Sequence, residues 1–380
     1  MMSDPKKPEN QSTVPEDSLA GEGGGEGVDR QGIEGAGAVE AAESTAATLP
    51  TYRVLAEGSL RSGLAAAGDV RWVAVDVSEI VETLRQRWDL SPLSAVALGQ
   101  LLTGAALMHR LQLKTPVRLN LAARGDGPLG TITAEATVDG RLRGTISNPR
   151  AVAPEGYGPL AVSAALGGGR LVVTRHYAYG QSYESQVPLD ESPASGGLLP
   201  PQEEDAGGPA DAFQGASTPV VAPATGSDGL GRHLSVYLQR SEQTQSAVLL
   251  GVLAKPEGIA SAGGLILEAL PGTDDDLLEA LERRLAEVPV SRTLEAGGLD
   301  ALLQAALGEL ELEDLESRPL TYSCSCEREA LRQRLAALPK EDREHIADQP
   351  WDEIEVVCSF CAERYLFTPQ ELDVQPSTTS

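Results

Sequence analysis

The sequence predicts an α+β fold in three parts: a mixed α/β N-terminal domain, a helical linker and a small C-terminal unit that carries four cysteines. Short β-forming segments and helical segments follow one another between residues 51 and 272. An acidic segment with leucines at helical spacing comes next. All four cysteines of the 380-residue chain lie beyond residue 320, so the C-terminal unit differs in its chemistry from the rest.

The predicted N-terminal domain spans residues 51–272. Its first clear elements are a β-rich segment at 70–77, helical spacing at 80–90 and a strongly apolar helix at 93–111. Alternating apolar residues after this helix predict a meander of strands. The further predicted elements are strands at 116–122, 130–138, 141–146, 171–179, 183–187, 247–252 and 264–270, and a helix at 234–241.

Two stretches are predicted to be disordered, because they hold too few apolar residues to offset the entropy of ordering. Residues 1–50 form an acidic tail with ten acids against Lys6, Lys7 and Arg30, and they contain no aromatic residue. Residues 190–224 are rich in glycine and proline. We expect this second stretch to be a flexible insertion within the N-terminal domain.

The segment 273–320 is predicted to be a helical linker. Leucines recur at helical spacing on both sides of the pair Gly297-Gly298, which predicts two amphipathic helices with a break between them. One interpretation is a plain linker with a solvated acidic face. The other is a metastable element that is ordered only while it is docked on its neighbours.

The four cysteines form two close pairs, Cys324-Ser-Cys326 and Cys358-Ser-Phe-Cys361, separated by a spacer that could hold a helix. Two such pairs can bring four thiolates to one point, and a tetrahedral shell of four sulfurs suits Zn²⁺. The unit at 321–375 is predicted to contain a helix at 327–338, a strand at 354–357 and a returning strand at 365–367. Because it has almost no core, zinc coordination would supply about 10–16 kcal/mol of its folding free energy.

Two interpretations of the zinc site remain open on spacing alone. Most four-cysteine sites are structural staples for small domains. A single residue between Cys324 and Cys326, however, makes a strained disulfide when the metal leaves, and strained disulfides are labile and regulatory. Nearby arginines could offset the negative charge of four thiolates, or could be ordinary surface charges; they are Arg328, Arg332, Arg334 and Arg364.

Composition and motifs exclude several classes of function. The chain has a net charge of −26 and a pI near 4.5, which disfavours nucleic-acid binding. No apolar run is long enough to suggest a membrane span, and cysteines gathered in one metal-like cluster fit a reducing compartment, so we expect a soluble, cytoplasmic protein. The stretch 125–130 matches GxGxxG, but Pro128 and the β-like residues after it indicate a hairpin connection. The histidines are scattered, with His345 expected at a helix end or surface, and no catalytic motif indicates an enzyme.

The residues around the cysteines resemble a known family, the 33-kDa heat-shock proteins, which are redox-regulated holdase chaperones. The resemblance rests on the cysteine pairs, on Arg328-Glu329 and Tyr365-Leu-Phe367 beside them, and on upstream segments at 125–128, 240–243 and 262–264. It covers roughly residues 51–189 and 225–375. The acidic tail, the insertion, Glu327 and Ala362 depart from the family pattern.

The resemblance implies a substrate-binding domain at 51–272, a metastable linker at 273–320 and a zinc-binding redox-switch domain at 321–375. In the reduced form Cys324, Cys326, Cys358 and Cys361 would hold one Zn²⁺. Under oxidants Cys324 would pair with Cys326 and Cys358 with Cys361, zinc would leave, and the unfolding linker would expose apolar surface. That surface would hold unfolding client proteins without ATP, and the family also implies a homodimer on activation and transfer of clients to ATP-dependent foldases.

Two other hypotheses compete with this one. A static zinc-binding interaction module would keep its metal under oxidants. A thiol oxidoreductase would use Cys358 and Cys361 in turnover, although this CxxC lies beside a metal site and not at a helix start in a βαβ unit.

Overall fold

The computed structural model describes residues 52–112, 115–189, 229–347 and 352–372. The predicted acidic tail at 1–50 and the insertion at 190–224 lie outside these residues. The strands are β1 Arg53–Ala65, β2 Val70–Asp76, β3 Arg118–Gly125, β4 Thr131–Thr137, β5 Arg141–Ile146, β6 Gly169–His176, β7 Ser182–Pro188, β8 Ser246–Lys255, β9 Gly258–Ala269, β10 Leu312–Cys324, β11 Ile354–Val357 and β12 Arg364–Phe367. The helices are α1 Ser78–Trp88, α2 Pro92–Leu111, α3 Val162–Leu166, α4 Leu230–Tyr237, α5 Asp275–Leu285, α6 Val290–Leu307, α7 Arg328–Ala336 and α8 Lys340–Ala347.

One large sheet organises the protein. Ten strands pair in the order β7-β6-β3-β4-β5-β10-β1-β2-β9-β8, and a separate hairpin joins β11 to β12. Neighbouring strands are antiparallel except β5 and β10, which run parallel over a short stretch. With helices packed on this mostly antiparallel sheet, the predicted α+β class is confirmed.

Helix α2 is the centre of the main core. It begins with Pro92 in its first turn and with Ser91 as its cap, whose hydroxyl accepts a hydrogen bond from the N–H of Ser94 over 3.2 Å. No apolar run long enough to span a membrane was predicted from the sequence, but the length and hydropathy of this helix would allow it; 94% of its apolar window is buried inside the protein. The helix therefore serves as the core helix of a folded domain, packed against the sheet with apolar residues of β3, β4 and β9.

The strands at the β8 end of the sheet are buried on both faces. Along β2, Val73 and Val75 belong to the main core, whereas Trp72 and Ala74 point to the opposite face. Helices α5 and α6 cover that opposite face with leucines and valines. Helix α6 departs from helical geometry at Gly297 and Gly298, the break that the sequence predicted.

Two long strands were not predicted from the sequence. Strand β1 is interrupted by glycines and β10 is acidic and contains Pro319, so neither shows a clean strand pattern. The two pair along almost their whole length. At Gly63 a Cβ atom would lie 2.0 Å from the carbonyl oxygen of Glu313, so the close approach of β1 to β10 requires glycine there.

The predicted linker range therefore contains more than helices. Residues 275–285 and 290–307 are helical, but β10 begins at Leu312 and continues to Cys324. The strand forms because its backbone is hydrogen-bonded to β1, which outweighs the weak strand propensity of its acidic residues. The division into domains stays a prediction. The stretch 125–130 connects β3 and β4 as a hairpin, as predicted.

Candidate metal centre

The structure brings the four cysteine sulfurs together. Cys324 ends β10 and Cys326 follows it, while Cys358 and Cys361 lie in the turn between β11 and β12. The Sγ atoms of Cys324 and Cys358 are 3.7 Å apart, those of Cys326 and Cys361 are 3.3 Å apart, and all four lie within 4.8 Å of one another. Four sulfurs bound tetrahedrally at about 2.3 Å would be separated by about 3.8 Å, so this arrangement can hold one metal ion.

Local backbone bonds fix the turn that carries the second pair. The N–H of Cys358 donates to the carbonyl of Glu363, and the N–H of Ala362 donates to the carbonyl of Cys358, each over 2.9 Å. Ala362 has φ +55°, in the left-handed region that favours glycine. Ile354 and Phe367 pair at the end of the hairpin away from this turn and pack with Leu331 of α7 into a very small core.

Burial differs among the four thiols. Cys361 is fully buried, Cys324 and Cys358 are nearly so, and Cys326 is partly exposed. Cys326 is therefore the cysteine most open to solvent.

Neighbouring thiols and burial shift the protonation of the cluster. Hydrogen bonds donated by Cys324 and then Cys361 lower the pKa of Cys358, whereas the bond with Cys358 helps to raise the pKa of Cys324 to about 11. The bonds to Cys324 and Cys358 likewise raise the pKa of Cys361. Without a cation, one thiolate is thus stabilised by its neighbours' S–H groups. Four thiolates require the positive charge of a metal, and a soft all-sulfur donor set fits Zn²⁺.

A tyrosine hydroxyl donates a hydrogen bond to each of the two cysteine loops. The hydroxyl of Tyr365 donates to the carbonyl oxygen of Cys326 over 2.9 Å and lies 3.3 Å from its sulfur. The hydroxyl of Tyr322, a buried residue of β10, donates to the carbonyl of Phe360 over 2.7 Å. Burial is the largest cause that raises the pKa of both hydroxyls, so they remain protonated donors.

Residues of the large sheet and α1 hold the same loops. The Nε of Arg87 donates to the carbonyl oxygen of Cys361, and Arg87 and Arg53 both pair with Glu363 at 2.7 and 2.8 Å. The guanidinium of Arg143 lies 4.4 Å from the ring centre of Phe360. The cysteine loops are therefore docked on the body of the protein and are not an independent appendage.

Sequence reasoning did not single out these docking residues. Arg87 precedes Cys361 by 274 residues, and no local pattern connects them. The arginines close in sequence instead pair with carboxylates: Arg328 with Glu371, Arg332 with Glu329 and Arg364 with Glu355. His345 is exposed on α8 and is not part of the sulfur cluster.

Comparison with known proteins identifies relatives over most of the chain. A family model described as Hsp33 protein matches residues 59–195 and 212–368. The 33 kDa chaperonin of Thermus thermophilus is 36% identical over 83% of this chain and 85% of its own length. The 33 kDa chaperonin of Deinococcus radiodurans is 33% identical over 82% of this chain and 95% of its own.

A solved structure shares the fold. The crystal structure of a 33 kDa chaperonin from Thermotoga maritima aligns with a TM-score of 0.66 and 27% identity, covering 83% of this chain and 96% of that one. The fold, the sulfur cluster and these relatives define a chaperone. The chain belongs to the Hsp33 family.

Proposed function

We propose that this chaperone is a cytoplasmic, ATP-independent holdase whose activity is switched on by oxidation. The observation that carries the proposal is the gathering of Cys324, Cys326, Cys358 and Cys361 within 4.8 Å, at the junction between a central strand and a small docked hairpin. In the reduced form the four thiolates hold one Zn²⁺, and the client surface is covered. Oxidation of the thiolates uncovers it.

Bound zinc would keep all four sulfurs deprotonated and would supply folding free energy to a unit whose own core is very small. The thiolate is the form that oxidants attack. Formation of each disulfide removes two electrons from two thiolates. One hydrogen peroxide accepts these electrons and, with two protons, becomes two waters. Two such steps would consume the whole ligand set.

We propose that Cys324 pairs with Cys326 and Cys358 with Cys361. The two sulfur contacts quoted above, 3.7 and 3.3 Å, each join one member of the first pair to one of the second, so sulfur distance alone does not select this pairing. Its support is mechanical. Disulfides within each cysteine pair would leave the C-terminal end of β10 unattached to the β11–β12 hairpin. Disulfides between the two pairs would instead link β10 covalently to that hairpin.

Strand β10 provides a route from the cysteines to the linker helices. It follows α6 after Gly308 and ends at Cys324, so release of the cysteine end loosens the strand that directly continues the linker. Arg61 of β1 joins Asp314 of β10 at 2.9 Å and Asp300 of α6 at 2.5 Å. Loss of β10 pairing would therefore remove support from α6, which is a population shift driven by a local chemical event.

The surface released would be the apolar face beneath α5 and α6. Trp72, Leu265 and Leu267 are fully buried there. Exposed apolar area of this kind binds unfolded chains. We further propose that the activated protein forms a homodimer and passes its clients to ATP-dependent foldases.

Aggregation assays with disulfide mapping test the proposal. The reduced protein is expected to leave a heat-denaturing client unprotected, and the peroxide-treated protein to suppress its aggregation with disulfides 324–326 and 358–361. The variant Cys326→Ser is compared with Ser325→Ala, which keeps all four sulfurs. Metal retained under peroxide would indicate a static zinc-binding interaction module, and turnover of a disulfide substrate would indicate an oxidoreductase.

A further inference from the structure

A polar cavity lies on the face of the sheet opposite α2, directly beside the cysteine unit. Its volume is about 220 Å³, and side chains of β3, β4, β5 and β10 line it together with Tyr52. Arg143 lines the cavity, and its guanidinium also lies over the ring of Phe360, in the turn that carries Cys358 and Cys361. The cavity belongs neither to the sulfur cluster nor to the covered apolar face.

Positive charge predominates in this cavity. Arg118, Arg141 and Arg143 line it, and Glu135 is the acidic residue among the lining side chains. Glu135 is buried and pairs with Arg143, and it lies 3.6 Å from Arg118. Arg141 pairs with Asp139, which lies outside the cavity lining. The three guanidinium groups thus share two carboxylates, Glu135 and Asp139, and positive charge remains in excess. A net positive site in a chain of net charge −26 requires an explanation.

One buried hydroxyl in the lining has no partner. Ser323 is 1% exposed, and among the described residues its Oγ has no hydrogen-bond partner. Buried polar groups in folded proteins are nearly always paired, so this hydroxyl is available to a hydrogen-bond partner such as a water or an ion. Ser323 belongs to the lining of the same cavity as the three arginines.

We infer that this cavity binds an anion of the phosphate type. A planar carboxylate is satisfied by the fork of a single arginine, whereas a tetrahedral oxyanion has enough acceptor positions for several guanidinium groups and a hydroxyl. All three basic side chains in the described lining of the cavity are arginines, the residue type that is typical of oxyanion recognition. The free ion and a phosphoryl group of a larger molecule share this chemistry.

Calorimetric titration of the reduced full-length chain tests the site, with orthophosphate, pyrophosphate and succinate as separate probes. Saturable binding of a phosphate probe is expected. Arg118→Gln and Ser323→Ala should each weaken it roughly tenfold, the effect of losing one hydrogen bond to a charged group. Ser323→Ala removes an unpaired buried hydroxyl, so it should not lower the unfolding temperature. The matched control is Arg124→Gln, an exposed change farther along β3 that lies outside the cavity lining.

Each probe has a defined consequence. Tighter binding of orthophosphate indicates the free ion, and tighter binding of pyrophosphate indicates a phosphoryl group of a larger ligand; both support the site. Three results overturn the inference: no saturable binding at millimolar phosphate, an equal loss in Arg124→Gln, or succinate binding as tightly as either phosphate probe.

Discussion

The Nε of Arg87 lies 2.5 Å from the carbonyl oxygen of Cys361 and donates a hydrogen bond to it. This contact joins α1 of the body to the turn that carries two of the four cysteines. The same guanidinium pairs with Glu363 in that turn. The geometry of the sulfur cluster and the docking of the hairpin are thus supported by one side chain.

Replacing Arg87 should loosen the docked hairpin. Arg87→Ala removes a partly buried, charge-assisted hydrogen bond and an ion pair, which together contribute about 1–3 kcal/mol. We expect amide hydrogen exchange in residues 354–367 of the reduced protein to rise about tenfold. The control is Arg364→Ala, which breaks an exposed pair with Glu355 on the same hairpin. Equal exchange in the two variants would show that Arg87 does not hold the hairpin.

Weakening the cover over the apolar face should activate the protein without oxidant. Leu302 of α6 is fully buried against that face, so Leu302→Ala should reduce the docking of α6 by about 2–5 kcal/mol. We expect the reduced variant to suppress client aggregation and the tryptophan emission of the protein, to which the buried Trp72 contributes, to shift to longer wavelength. The matched control is Gln304→Ala, at an exposed position of the same helix. Faster exchange in α6 without client protection would contradict the assignment of the client surface.

Relieving backbone strain should stabilise the cysteine turn. Ala362 has φ +55°, a conformation that costs an L-residue roughly 1 kcal/mol and that glycine adopts freely. Ala362→Gly is therefore expected to slow peroxide-driven metal release, as measured with a chromogenic chelator. Ala337→Gly, in the spacer between the cysteine pairs, provides a control for greater chain flexibility. Slower release in both variants, or in neither, would exclude strain at Ala362 as a factor.

Acid should destabilise the body through Glu82. Its carboxylate accepts hydrogen bonds from Arg85 and from the N–H of Ile259, and these lower its pKa to about 2. An unfolded glutamate has a pKa near 4.3, so folding favours the charged form. The resulting stability, about 1–3 kcal/mol, is present above pH 4.3 and is lost as the pH falls toward 2.

Denaturant unfolding of Glu82→Gln measures this contribution. The difference in free energy of unfolding between the wild-type protein and the variant should be largest near pH 6 and should shrink by pH 3. Glu79→Gln, an exposed change on the same helix, is the control. A difference that stays constant with pH would mean that the carboxylate charge is not what joins α1 to β9.

Sequence information reached furthest where neighbouring residues decide the structure. The apolar helix α2, the β11–β12 hairpin and the turn at 125–130 were all predicted, because periodicity and turn residues are local signals. The gathering of the four cysteines followed from their spacing. Strands β1 and β10 were missed because long-range pairing forms them: Arg61 and Asp314 meet across 253 residues. The contact between Arg87 and Cys361 was missed for the same reason, because the two residues are 274 positions apart in the sequence.

Metal release and client protection, followed together in one peroxide titration, test the central claim most directly. The reduced, zinc-loaded protein is mixed with a chromogenic chelator and a denaturing client, so that zinc release and light scattering are recorded in parallel. The account predicts that suppression of scattering begins as zinc is released and that both reverse when thiols and zinc are restored. Zinc release with undiminished scattering, or protection while the metal stays bound, would contradict it.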